Sequence, residues 1–122
     1  MRELLSITKA LADENRLRIV AALEGRELCL CQLVELLGLA TSTVSKHASI
    51  LQQSGLVTSR KQGRWNYFRL DEDASSVAAE ASELVRRALK RDRRARDDRR
   101  RLKEILKLDP EQLCRQQSAC KC

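Results

Sequence analysis

Two apolar periodicities meet at a single glycine between Leu30 and Gly55, and that junction restricts the fold more than any other stretch of the chain. Leu30, Leu33, Val34 and Leu37 follow the i, i+3, i+4, i+7 template of a short helix that Gly38 interrupts. After Gly38-Leu39-Ala40, Thr41 or Ser42 caps a further helix with Val44, Ala48 and Leu51 inward, ending at Gly55. Helix, brief glycine-bearing turn, helix is the helix-turn-helix pattern. Upstream, Leu4, Ile7, Thr8 and Leu11 recur at helical spacing, and Asp13 caps a second helix carrying Leu17, Val20, Ala21 and Leu23, which Gly25 ends. Downstream, Leu56-Val57-Thr58 reads as a strand, Lys61-Gln62-Gly63-Arg64 as a turn, and Trp65 to Leu70 as an alternating return strand. The sequence therefore predicts a mainly α fold with a β-hairpin, a winged helix-turn-helix.

Beyond the wing, apolar residues at 74, 77, 81, 84 and 88 form a heptad-like seam, sustained thinly through Ala95, Leu102 and Ile105. The seam predicts one long final helix starting at Asp73. From Lys90 to Arg101 eight of twelve residues are basic and three are Asp, so this part is expected to project into water as a self-paired face rather than to bury area or touch DNA. Pro110, the sole proline, is expected to close the helical region, leaving a short polar tail. The domain reading is residues 1–108 as the winged domain with its dimerisation helices and 109–122 as a flexible cysteine-containing tail. The seam and helix 1 are the expected dimer interface, because a two-fold dimer matches two major-groove half-sites about 34 Å apart.

A formal charge of +7 on 122 residues points to a polyanionic partner, since Lys and Arg release counterions from phosphates on binding. Double-stranded DNA leads. No stretch approaches the ~20 apolar residues needed to span a bilayer, and the first residues read as amphipathic helix rather than as an export signal, which predicts a cytoplasmic protein without membrane contact. There, five cysteines are expected to stay reduced. The reading helix presents Thr41, Ser42, Thr43, Ser45, Lys46, His47 and Ser49 opposite its apolar face, donors and acceptors suited to base edges and phosphates. Arg60, Lys61, Arg64 and Arg69 flank the hairpin turn, where they can reach adjacent phosphates or the minor groove. His47, the only histidine, is assigned to the DNA face, because a His and carboxylate zinc site on the final helix has no histidine to use.

Cys29 and Cys31 stand at the start of the helix that braces the reading helix. Soft thiolates select soft ions, and a helix N-terminus favours the thiolate. Residues two apart on a helix point about 200° from each other, so both sulfurs can meet one ion only if the first turn unwinds. Ion binding and operator binding are then antagonistic, with a coupling of about 1–3 kcal/mol weakening DNA binding ~5–150-fold.

The run Leu11-Ala12-Asp13-Glu14-Asn15-Arg16-Leu17-Arg18-Ile19-Val20, the Glu27 to Leu33 segment, Ser45-Lys46-His47, Ser54-Gly55-Leu56-Val57 and Arg60-Lys61-Gln62-Gly63-Arg64 together resemble the ArsR/SmtB metalloregulators. Within that family the chain looks like the arsenical resistance operon repressors, whose metalloid box reads ELCVCDLC. The resemblance covers roughly residues 5–105. It implies a homodimeric repressor that leaves its operator when As(III) or Sb(III) binds cysteine thiolates. The family's third cysteine corresponds to Val34 here. Cys29 and Cys31 then supply two ligands, with the third drawn from Cys114, Cys120 or Cys122 of either subunit, a solvent oxygen or an exogenous thiol. Two alternatives share the architecture: a repressor responding to cadmium, lead or zinc, and a regulator responding to thiol oxidation at Cys29 and Cys31. A thiol enzyme such as an arsenate reductase is disfavoured, because the lone histidine lies in the reading helix and no acid/base constellation surrounds the cysteines.

Overall fold

The computed structural model describes residues 1–71 and 76–119. Helices α1 (Arg2–Leu11) and α2 (Glu14–Ala22) lead to a two-residue strand β1 (Leu28–Cys29), helix α3 (Leu30–Leu37), helix α4 (Thr41–Gln53) and the hairpin strands β2 (Val57–Gln62) and β3 (Trp65–Leu70). Three helices follow: α5 (Ser76–Ala88), α6 (Arg93–Ile105) and α7 (Pro110–Ala119). The winged helix-turn-helix expected from the sequence is present.

Local chemistry sets most boundaries. Asp13 caps α2, its Oδ1 accepting the backbone N–H of Asn15 at 2.8 Å and of Arg16 at 3.1 Å. Burial alone would raise the Asp13 pKa, but the Arg16 backbone N–H and guanidinium outweigh it and hold the carboxyl below its ordinary value. The α3 to α4 turn depends on Gly38, whose φ of 68° is left-handed backbone that a Cβ would disfavour. Ala40, rather than Thr41 or Ser42, holds the N-cap position of α4, so Thr41 is already its first helical residue. The wing is tighter than predicted: Gln62 pairs with Trp65, leaving Gly63-Arg64 as a two-residue turn with Gly63 at φ 62°. The sheet has three strands, because β1 adds to β3 with Leu28 opposite Phe68 and Cys29 opposite Tyr67.

Ile7, Ile19, Leu23, Leu28, Leu33, Val44, Leu51 and Leu56 are fully buried and join the first four helices to the sheet. At about 1.5–3 kcal/mol for each large apolar side chain buried, this cluster dominates the stability of the domain.

The single long final helix is not what forms. Between α5 and α6 the chain turns, and Asp92 caps the new helix through Oδ2, which accepts the Ala95 N–H at 3.0 Å. The seam splits accordingly. Ala78 and Val85 are buried on α5 while Leu84 is 64% exposed, and Ala95, Asp98, Leu102 and Ile105 are buried on α6. The Ala74 end of the seam lies outside the described residues.

The basic residues of this run are exposed, as expected, but the helix that carries most of them lies on the domain through Ala95 and Asp98. Helix α6 packs on α2 and α3, held by Arg18, whose side chain is 7% exposed. Its Nε donates to Asp98 Oδ2 at 2.8 Å and Nη2 to Asp98 Oδ1 at 3.0 Å. The same guanidinium reaches Asn15 Oδ1 at 3.1 Å and the Leu36 carbonyl at 3.3 Å. Pro110 opens α7 rather than closing the helical region, since proline fits the first helical position, where no N–H is needed. The predicted tail is thus helical through Ala119, and α7 packs on α3 with Leu113 buried.

Removing one member of the Arg18–Asp98 pair leaves the other buried and uncompensated. Asp98→Ala is expected to destabilise the protein by about 3–5 kcal/mol in urea unfolding, whereas Arg18→Leu/Asp98→Leu recovers most of that loss. Equal losses in the single and double variants would show that α6 is held by its apolar residues alone.

Candidate functional site

The reading helix presents Ser42, Thr43, Ser45, Lys46 and Ser49 to solvent, with Thr41 half-buried and Val44, Ala48 and Leu51 turned into the core. His47 is differently placed from the rest. It is half-buried, and its Nδ1 lies 3.2 Å from Arg16 Nη1. A guanidinium only donates, so that nitrogen is the acceptor. Arg16 also donates from Nε to the Ala10 carbonyl at 2.6 Å and from Nη2 to the Lys9 carbonyl at 3.3 Å, tying α4 to the end of α1. Sequence reasoning missed this anchoring role, because Arg16 lies 31 positions upstream of His47.

The wing residues divide in the same way. Lys61 and Arg64 are exposed at the hairpin end. Arg60 is committed elsewhere, its Nη2 donating to Glu27 Oε1 at 2.6 Å and its Nε to Oε2 at 2.9 Å, with the guanidinium carbon 4.6 Å from the Tyr67 ring centroid. These bonds hold the Glu27 carboxyl below its ordinary pKa. Arg60 thus braces the wing against the residue before β1, while its side chain stays 49% exposed.

Cys29 and Cys31 do not face one another. Cys29 is 2% exposed and serves as the N-cap of α3: its backbone N–H donates to Gln32 Oε1 at 2.9 Å while its side chain meets the Gln32 backbone N–H. Burial pushes the Cys29 thiol pKa up despite that N–H, contrary to the thiolate expected at a helix start. Cys31 is half-buried and forms a disulfide with Cys114 of α7, across a Cα to Cα distance of 5.4 Å. That linkage corrects the expectation that all the cysteines are reduced. Cys29 is the one free cysteine among the described residues, and Cys120 and Cys122 lie outside them. Gln117 Nε2 donates to the Cys31 carbonyl at 2.9 Å, a second tie between α7 and α3.

Among the described residues no three His, Cys, Asp or Glu side chains gather as a ready ion site. The donor set still fits a soft metalloid in part. Two sulfurs already stand together across α3 and α7, and a third thiolate from Cys29 requires the first turn of α3 to open. Beside this pair, a cavity of about 410 Å³ separates the start of α4 from the wing, lined by Thr41, Arg64, Trp65, Glu111, Cys114 and Arg115 among others. No helix of the described residues is long and apolar enough to cross a membrane.

Comparison with known proteins agrees with the winged helix-turn-helix fold. Residues 13–59, from the cap of α2 into β2, match the family model described as "Bacterial regulatory protein, arsR family". The chain is 42% identical over 76 residues to the arsenical resistance operon repressor of Escherichia coli K12, a match covering 62% of this chain and 65%, just under two thirds, of that protein. It is 33% identical to a cadmium resistance transcriptional regulatory protein CadC homolog of Staphylococcus aureus, over 70% of this chain and 71% of that one. Among solved structures, the homodimeric winged helix-turn-helix DNA-binding domain of Mb0332 from Mycobacterium bovis superimposes with a TM-score of 0.62 at 27% identity, covering 73% of this chain and 80% of that one.

The contrast between the two α3 thiols is measurable. In reduced protein pulsed with iodoacetamide at mildly alkaline pH, Cys31 and Cys114 are expected to alkylate before Cys29, as read by peptide mass mapping. Denaturant should abolish the difference. Labelling of folded Cys29 at the rate of Cys114 would contradict its burial.

Proposed function

This chain belongs to the ArsR family of bacterial regulatory proteins, and we propose that it is a homodimeric, cytoplasmic repressor that leaves its operator when As(III) or Sb(III) is taken up by cysteine thiolates that include Cys31. The observation that carries this reading is the position of Cys31. It lies in the first turn of the helix that braces α4, and its sulfur is within bonding reach of another thiol.

DNA recognition in this reading falls to Thr41, Ser42, Thr43, Ser45 and Lys46 on the reading helix and to Lys61 and Arg64 on the wing. His47 and Arg60 act by positioning these elements, since each is held by another side chain. Dimerisation falls to α1 and α5, which pack against each other while leaving Leu4, Leu5 and Leu84 exposed. Exposed leucines on adjoining helices are what a two-fold partner would cover. The homodimeric state of the Mb0332 domain and the arsenical function of the Escherichia coli relative support the same reading.

Two observations favour a second response. The Cys31–Cys114 disulfide supports a thiol-redox-sensitive regulator, and the similarity to a cadmium regulator supports a divalent soft ion. Fluorescence anisotropy of labelled DNA from upstream of this gene separates them. Under reducing conditions, arsenite alone should release the DNA. Release by cadmium or zinc alone would move the assignment to the divalent ion, and release by peroxide alone to the redox regulator.

The DNA face has its own check. Lys46→Ala is expected to weaken operator binding and to reduce the slope of log affinity against log salt by about 0.9, the value for one phosphate contact. An unchanged slope would remove Lys46 from the phosphate contacts.

A further inference from the structure

Helix α7 stands beside the start of the reading helix and the wing. One of its sides faces the cavity between Thr41 and the wing residues Arg64 and Trp65. Next to it, Gln116 and Gln117 border a second cleft of about 540 Å³ against Ala40, Thr41 and Ser42. A helix that reads a major groove does so with its N-terminal residues, and its free N–H groups attract phosphate. Here a neighbouring helix stands across two clefts from that end, and it brings Glu111, paired with Arg115 at 2.8 Å, into the gap beside Arg64. With α7 in this place, a duplex approaching the start of α4 and the wing meets steric bulk.

The hold on α7 is narrow. It is ten residues long, a length at which an isolated helix is marginal. Its attachments comprise the buried Leu113, the Gln117 to Cys31 hydrogen bond and the Cys31–Cys114 linkage. Only the last of these is chemically switchable. Cys29 is unsuited to share in it, because its side chain is turned to the Gln32 N–H and buried beneath the sheet pairing with Tyr67.

We propose that Cys31 and Cys114 form a two-thiol clasp that binds a trivalent arsenical across α3 and α7, and that closing the clasp seats α7 against the start of the reading helix. The inference rests on the metalloid reading above and names its ligand pair and its means of release. Arsenous acid loses two hydroxyl groups as two water molecules, taking the proton of each thiol, and forms two As–S bonds. Arsenic stays trivalent, and its third position keeps a hydroxyl or takes an external thiol. No unwinding of α3 is needed, because the two sulfurs come from different helices. The disulfide is the same closure without arsenic: hydrogen peroxide takes two electrons and two protons from the thiols and leaves as two waters. A low-molecular-weight thiol reverses it, two of its molecules being oxidised to their disulfide as Cys31 and Cys114 regain their protons.

The test is DNA anisotropy with reduced wild type, Cys29→Ser, Cys31→Ser and Cys114→Ser, using sodium arsenite as the probe. Circular dichroism and melting establish that each variant is folded, with Cys114→Ala as a second replacement at that site. Wild type and Cys29→Ser should lose DNA affinity on adding arsenite, within the ~5–150-fold range of ordinary coupling, while the Cys31 and Cys114 variants should not. Mass mapping should show arsenite protecting Cys31 and Cys114, but not Cys29, from alkylation. Peroxide-closed wild type should bind DNA more weakly without any arsenite, and a thiol reductant should restore it. Arsenite release retained in folded Cys114→Ser and Cys114→Ala would overturn the clasp while leaving the metalloid repressor intact. Wild type that keeps its DNA at every arsenite concentration would instead overturn the metalloid reading on which the clasp rests. Undiminished affinity of the disulfide form would overturn the occlusion by α7.

Discussion

The buried pair of Arg18 and Asp98 is the interaction on which the arrangement of this protein depends. Helix α6 is dominated by arginine, and its four buried residues include Asp98 itself, so hydrophobic area alone gives it little reason to lie on the domain. The bidentate contact supplies that reason and fixes one register. At the same time Arg18 satisfies the Leu36 carbonyl near the end of α3, so a single guanidinium joins α2, α3 and α6. Charge pairs of this kind contribute less net stability than geometric definition, because desolvation offsets most of the Coulomb gain. Definition is what matters here. Only when α6 returns across the domain does its successor, α7, reach Cys31.

A chain of dependence therefore runs from a residue in the second helix to the thiols. Arg18 positions α6, α6 delivers α7, and α7 places Cys114 beside Cys31 and next to the start of the reading helix. The family-model match ends at Ser59, before β3 and the last three helices. The reading helix thus lies in the shared part of the chain, whereas the wing turn and the thiol partner lie outside that matched span. A thiol at the start of α3 is in a sensitive position whatever it binds, because α3 and α4 are separated by a three-residue turn and pack on each other.

The residues from Asp13 to Leu70 were legible because local signals there agree with the tertiary packing: an Asp cap, glycines at positive φ, and apolar residues at helical and then alternating spacing. Beyond the wing they conflict. The seam at 77, 81, 84 and 88 reads on into Ala95, Leu102 and Ile105 without a break in period, and only Asp92, three residues before Ala95, marks a new helix start. Its neighbours are all charged, so in the sequence the cap is indistinguishable from one more member of a solvated run. Asp98 likewise reads as a surface charge, since its partner lies 80 positions away and no local pattern announces such a pair. Within the site, the Cys29 and Cys31 positions were found, but not their opposite orientations. Those follow from β1, a two-residue strand too short to leave an alternation in the sequence.

Arg16 has a mechanical consequence apart from any ligand. Its guanidinium grips the last carbonyls of α1 with one edge and the ring of His47 with the other, bridging the helix that opens the chain and the middle of α4. The reading helix thus takes its bearing from α1 as well as from the core beneath it. Pressure applied to α1 by a neighbouring molecule is geared directly to the pitch of α4, and the spacing between two such helices in an assembly would be set as much by that one linkage as by the surfaces in contact.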